Sequence, residues 1–496
     1  MIPARLLRLT RPEWVPRLII LVVTAGVFAL TGCGETDRAD PTPDPILTPL
    51  PGTGPSAGTP DPGVTPPGDA LSVVDFGAVG DGRSDDTGAI LSAVDKAASE
   101  GVPVWFPRGT YAVRDISLPK GVVLAGAGAS QAWLKGRVSF DSESQASDLR
   151  VGRDGAATRF ADGAARIELR RLTFVGGGGM RSGEDQGVIR FSAGRSASHI
   201  RFLRCTIGAN SENGNGVSMV SSGQSAATYH DISWERCLFK GSPRMNLEVI
   251  QRPDGEGTVD AGYRRLDLVD CTFEPSGSEN VSFDAVGPAG DCTISGCVFY
   301  GAGWNTAYPY GQGIEFNGPT DMRFVGNTVY RCRGSMINHS SRLETIDRTV
   351  IRDNVFDATS SFIRARPGRD AQAIFFSGVS GAVFSGNTVR SSVGGELLYL
   401  DESSGNRFIT NTWIDERPQG EALACAIIAD ASSSNRFDAD RFRTAAEAAV
   451  FIRGGSRDTV FRSCVFLPHG QGVGDAQRIV AEKGVTLTTD DAVHAP

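Results

Sequence analysis

Three carboxylates, Glu248, Asp284 and Glu315, fall on the same side of successive short segments of alternating polarity. Neighbouring residues of a strand face opposite sides. With Leu247/Val249, Val281/Phe283, Ile314/Phe316 and Ile337 turned inward, the outward set is Asn246, Glu248, Ser282, Asp284, Glu315, Asn317, Asn338 and Ser340. If the segments stack about 4.8 Å apart, Glu248 and Glu315 stand two levels apart, about 10 Å at the backbone, with Asp284 diagonally between them. Carboxyl groups roughly 6.5 to 9.5 Å apart leave room for the attacking water of an inverting glycosidic hydrolysis. Mutual repulsion raises one pKa and so supplies an acid beside a base. Carboxylates with Asn side chains also suit Ca²⁺ held against a uronate, the arrangement for β-elimination. Glu248, Asp284 and Glu315 are therefore the candidate catalytic residues. Asn246, Asn317 and Asn338 are candidates for substrate contact.

Arg364 and Arg366 fall in the next segment and are expected to meet substrate carboxylates; Tyr399 and Asp401 follow further on. The insertion 301–313 carries Trp304, Tyr308 and Tyr310, with Tyr300 just before it. Such rings either stack on sugar faces or cover the adjacent core. His339 falls on the inward side and is expected in the core. The chain holds His 5, without paired spacing, so no metal-ligating set is assigned and a histidine zinc site is not expected.

The positioning elements are repeats. An apolar residue, two variable residues, a Cys or Asn, one variable residue and a second apolar residue recur at Leu169/Leu172/Phe174, Phe202/Cys205/Ile207, Trp234/Cys237/Phe239, Leu268/Cys271/Phe273, Ile294/Cys297/Phe299 and Phe324/Asn327/Val329. They recur again at Ile351/Asn354/Phe356, Phe384/Asn387/Val389, Phe408/Asn411/Trp413, Phe437/Asp440/Phe442 and Phe461/Cys464/Phe466. The spacing is roughly 24 to 34 residues, in the range of stacked repeats. Each repeat holds short alternating runs separated by Gly, Ser, Asn and Asp turns. A unit this small cannot bury its apolar face alone, whereas stacked units form one continuous core. The expected fold is all-β, a single-stranded right-handed parallel β-helix of about 11–13 coils. Asn327, Asn354, Asn387 and Asn411 are expected to stack as an inward ladder, and Cys205, Cys237, Cys271 and Cys297 likewise as buried thiols. In-register side chains about 4.8 Å apart stand slightly too far for a bridge.

The amino end has an export layout: Arg5, Arg8, Arg11 and Arg17, then an apolar run from Leu18 to Leu30. Leu30-Thr31-Gly32-Cys33 resembles the lipobox of bacterial lipoproteins, which implies removal of residues 1–32 and lipidation of Cys33. Residues 33–70 are rich in Pro and Gly and read as a disordered tether. The cap and first coil are expected over 71–130, the β-helix over 131–470 and a carboxyl-terminal cap and tail over 471–496. The formal net charge of −8 opposes nucleic-acid binding.

Val74-Asp75-Phe76-Gly77-Ala78-Val79-Gly80-Asp81-Gly82, Asp85-Asp86-Thr87, Pro107-Arg108-Gly109-Thr110-Tyr111 and Leu124-Ala125-Gly126-Ala127-Gly128 occur in order. This resembles the opening of the pectate lyase superfamily, the rhamnogalacturonase and epimerase-like β-helix group. Asp81, Asp85 and Asp86 are explained there by turn and cap duties, with Ser84 or Asp85 capping a short helix whose buried face holds Ile90, Val94 and Ala97. The Asn-Thr-Asp, Gly-His-Gly and Arg-Ile-Lys signatures of polygalacturonases are absent, and Pro468-His469-Gly470 is only an echo. The resemblance implies an envelope-tethered glycoside hydrolase or polysaccharide lyase acting on an acidic or pectin-like glycan, with Ca²⁺ as cofactor only for a lyase; epimerisation stays open within the enzyme class. The other reading is a non-catalytic carbohydrate-binding or adhesin-like surface protein. The expected partners are a polysaccharide and, through Cys33, a membrane; a monomer is expected, with a trimer left open.

Overall fold

The computed structural model describes residues 64–496, apart from 178–186, 193–194, 223–227, 253–261, 287–288, 306, 309–310, 342–345, 359–371, 393–394, 419–423, 469–478, 483–485, 491–492 and 495–496. Cys33, Tyr310, Arg364 and Arg366 lie outside the described residues.

Among the described residues the chain winds through three parallel sheets, two of 16 strands and one of 14. One coil shows the course. Val281–Asp284 lies in the 14-stranded sheet C, Thr293–Ser295 in sheet A, Val298–Tyr300 in sheet B, and Ile314–Asn317 returns to sheet C. Each strand pairs with its equivalent one coil away, so a residue's neighbours along the axis are read directly from register. Coiling is under way at Leu71–Ser72, which pairs with Val104–Phe106, and continues to Val493–His494. The segments expected to be caps therefore contribute strands themselves.

The recurring six-residue pattern spans the turn from sheet A to sheet B. The residue before its Cys or Asn has positive φ, as at Arg204 (φ 53), Asp270 (φ 52) and Gly326 (φ 66), a left-handed conformation that tightens the corner. The Cys or Asn then turns inward. Cys237 N–H donates to Cys271 Sγ at 3.4 Å, Cys271 N–H to Cys297 Sγ at 3.3 Å, and Cys297 N–H to Asn327 Oδ1 at 2.8 Å. The chain of bonds continues through Asn354, Asn387 and Asn411 to the buried Asp440. Each amide also donates to a backbone carbonyl, so a buried turn keeps its polar groups paired. The eight described cysteines are free and buried. Beside the ladder, aromatic rings stack at the coil spacing, with Phe239, Phe273 and Phe299 at centroid distances of 4.3 and 4.6 Å.

Helix α1 (Thr87–Glu100) buries Ile90, Ala93, Val94 and Ala97 and ends at Gly101, φ 69. Its cap position is Asp86, one residue later than expected. The Asp86 carboxylate reaches instead to Val79 and Gly80 N–H, while Asp85 accepts from Thr87 N–H. Asp81 accepts from Arg83 and Ser84 N–H. All three acids hold turns. No helix among the described residues is long and apolar enough to cross a membrane.

Candidate active face

The outer face of sheet C gathers five of the expected residues. Successive strands Leu247–Arg252, Val281–Asp284, Ile314–Asn317, Ile337–Ser340, Ile374–Ser377 and Leu398–Asp401 form one column through Glu248, Ser282, Glu315, Asn338, Phe375 and Tyr399. Asp284, Asn317, Ser340, Ser377 and Asp401 form the parallel column two residues along. The structure thus brings Glu248, Asp284, Glu315, Asn317 and Asn338 onto one face. Glu248 and Glu315 are two coils apart, about 9.6 Å at the backbone.

The carboxylates differ in setting. Glu248 is 5% exposed, pairs with Arg244 Nη1 at 2.6 Å and accepts from Asn215 Nδ2 at 2.6 Å. Glu315 is half-buried and accepts from Ser282 Oγ at 2.8 Å. Asp284 is likewise half-buried. Burial holds Asp401, at the far end of the second column, above the usual carboxylate range, and the Asp430 and Glu402 charges add to it.

Two expectations on this face need correcting. Asn246 is fully buried: its Oδ1 accepts from Ser242 N–H, and its Nδ2 donates to Glu274 O and Asn280 Oδ1. Alternation holds only from Leu247, where the strand begins. One residue earlier the chain is still turning, and the amide serves a second internal ladder. The column position expected to lead on to arginines is also taken by another residue, while Arg364 and Arg366 themselves lie outside the described residues. The sheet C strand that follows Ile337–Ser340 is Ile374–Ser377, so the position after Asn338 belongs to Phe375, with Tyr399 next and the two rings 5.9 Å apart.

Arginines do flank the carboxylates, on the opposite side. The Glu248 column continues toward the amino end through Ser218, Arg190 and Arg159, the last two directly paired. Burial holds Arg159 below its usual range, and the Arg137 and Arg195 charges add to that against Asp115. Extending the same register upstream from Val217 and Met219 finds this pair in the sequence. Glu279 has no such signal because it sits in a turn. It is 1% exposed and accepts from Ser278 Oγ at 2.5 Å. Burial holds its carboxyl above the usual range, reinforced by the Glu248 charge and opposed by Ser278 and Arg244.

The aromatic insertion borders this face at the turn into sheet C. Gly303, Trp304 and Asn305 N–H groups donate to Ser276 and Gly277 carbonyls, and Tyr308 Oη donates to Asn213 O at 3.5 Å. Arg333 holds the insertion through Tyr308 O and Asn305 O. Trp304 remains 55% exposed. His339 is in the core as expected, 2.6 Å from the fully buried Asp347.

A solenoid of parallel sheets with an acidic, aromatic-edged face defines a class. Residues 70–243 match the family described as rhamnogalacturonase A/epimerase, pectate lyase-like, and residues 249–413 match the right handed beta helix region. The chain is a right-handed parallel β-helix protein, and its residues 70–243 are similar to the pectate lyase-like family. A pre-neck appendage protein of Bacillus phage B103 is 44% identical over 63 residues, 12% of this chain and 7% of that protein. Plasmin and fibronectin-binding protein A of Streptococcus pneumoniae (strain ATCC BAA-255 / R6) is 57% identical over 49 residues, 10% of this chain and 7% of that protein. The matches thus span under a tenth of each curated relative. The A-module of mannuronan C-5 epimerase AlgE4 from Azotobacter vinelandii is similar with a TM-score of 0.42 and 14% identity, over 84% of this chain and 98% of that one.

Proposed function

We propose that the sheet C face binds and cleaves an acidic or pectin-like polysaccharide. The observation that carries this reading is the shared column: Glu248 and Glu315 two coils apart, Asp284 diagonal to both, and Arg190 with Arg159 continuing the line. Glu315 and Asp284, both half-buried, are the better placed to exchange protons with a substrate. Glu248 has both oxygens engaged and shapes the site's charge. Hydrolysis needs one protonated and one ionised carboxyl on either side of the scissile bond, and Glu315 with Asp284 is the pair assigned to it. Elimination needs a cation against the uronate carboxylate, for which Asp284, Glu315 and Asn317 offer oxygen ligands. Asn338, Trp304, Tyr308 and Tyr399 extend the contact surface. Tyr310, Arg364 and Arg366 are kept as substrate-contact proposals from sequence.

Binding without turnover is the second reading, favoured by one observation: the Glu248 carboxylate is locked in a buried ion pair, as a structural acid would be. A panel of acidic and neutral polysaccharides separates the two. Cleavage of an acidic glycan that falls at least 100-fold in Glu315→Gln and Asp284→Asn, with fold retained, supports catalysis. Full activity in both variants sinks it, and saturable binding without any product leaves the adhesin-like reading. A product absorbing in the ultraviolet, dependent on Ca²⁺, marks elimination.

We also propose that the chain is exported and held in the cell envelope by lipid on Cys33. Metabolic labelling with a radiolabelled fatty acid tests this; a Cys33→Ala protein that still carries the label would refute it.

A further inference from the structure

On sheet A, the repeat brings together residues that sequence spacing keeps apart. Strands Ala197–Leu203 and Thr228–Glu235 are neighbours, and their register sets His199 beside Asp231 and Ser198 beside His230. His199 and Asp231 both have positive φ, 52 and 56, at an irregular step between paired stretches of the strands. That step turns both side chains to the outside. His230 Nδ1 lies 2.7 Å from Asp231 Oδ2 and His199 Nε2 lies 3.6 Å from the same oxygen. One donor atom from each of the three residues falls within 4.8 Å of the other two. The imidazole rings meet edge to face at 5.5 Å.

We propose that His199, His230 and Asp231 form a site for a zinc-class divalent transition ion, separate from the carboxylates of sheet C. Metal–nitrogen and metal–oxygen bonds of about 2.0–2.2 Å put the donors of a tetrahedral ion about 3.3 Å apart, a separation the two distances to Asp231 Oδ2 bracket. Two imidazoles and one carboxylate match the ligand preference of zinc, copper and nickel better than that of calcium, which takes oxygen. Three protein ligands leave a fourth position for water or a donor from a bound molecule. Arg265 orients Asp231 through two bonds of 2.6 and 2.9 Å, and its charge opposes the ion, so affinity is moderate. The pair escapes a search for short histidine spacing because its members come from adjacent coils. Aligning the repeats on Cys205 and Cys237 places His199 and Asp231 at the same position.

Calorimetric titration of the purified protein with zinc chloride, in a buffer that does not bind the metal, is expected to show one saturable equivalent. His199→Ala and His230→Ala should each weaken it at least tenfold, with thermal unfolding in EDTA unchanged because both side chains are at the surface. Copper-loaded protein should show coupling to two imidazole nitrogens in electron paramagnetic resonance, and to none in the double variant. A double variant that binds zinc as tightly as the parent, or a parent with no saturable equivalent at millimolar zinc, would overturn the site.

Discussion

Arg244 and Glu248 form a 2.6 Å ion pair whose side chains are 22% and 6% exposed, directly beside the carboxylates of the sheet C face. Removing one partner from a mostly buried pair leaves an uncompensated charge. Arg244→Ala is expected to cost about 3 kcal/mol in stability, more than Arg244→Ala combined with Glu248→Gln. Denaturant midpoints of the single and double variants check this. A single variant no worse than the double would mean that Arg244 does not neutralise Glu248.

Arg159 and Arg190, paired in adjacent coils of the same column, are expected to bind anionic groups of a glycan. Arg159→Gln and Arg190→Gln should each weaken binding of acidic oligosaccharides about tenfold, a charge-assisted hydrogen bond being about 1.5–3 kcal/mol. The effect should shrink as salt is added and be absent for neutral oligosaccharides. Equal losses for charged and neutral ligands would count against an anion subsite.

Asp440 ends the asparagine ladder with a carboxyl that burial pushes up to about 7, against hydrogen bonds from Asn411 and Trp413. The unfolded value is about 3.9, so the folded chain binds the extra proton. Its stabilising contribution is therefore full below about pH 4 and is lost as the pH rises through about 7. Asp440→Asn should remove this dependence, although the Trp413 indole N–H then risks facing an amide N–H. Unfolding midpoints at acidic, neutral and mildly alkaline pH for both proteins test it; parallel curves would contradict the assignment.

Asn354 accepts from Asn327 N–H and Nδ2 and donates to Phe324 O and Asn387 Oδ1, all buried. Alanine there strands several polar groups at about 1–3 kcal/mol each. Asn354→Cys should cost less, because Cys271 and Cys297 accept the same kind of backbone bond at equivalent positions. Equal destabilisation by the two substitutions would show that the ladder requires the amide itself.

The fold was legible because the six-residue pattern marks a single corner, and period-two alternation then fixes which residues face the core. The same reasoning placed Glu248, Asp284 and Glu315 correctly on one face. It failed at Asn246, where alternation was carried one residue past the strand into a turn. After Asn338 the next strand of the face begins at Ile374, and spacing alone does not say where it begins. Glu279 and the His199/Asp231 pair were invisible for related reasons. Turn residues follow no face periodicity, and contacts between coils appear only after the repeats are aligned.

The parallel register makes the solenoid a ruler with one graduation per coil. Distances between groups on the sheet C face are set by how many coils separate them, in steps of about 4.8 Å. Excising the single coil that carries Ser282 would bring Glu248 and Glu315 from two graduations to one, near the roughly 5–5.5 Å separation at which a second carboxylate acts as nucleophile. Gain or loss of a whole repeat would thus reset the spacing of outward groups by one graduation, and only the coils that meet at the cut would change neighbours, as Glu315 would on losing the Ser282 hydroxyl.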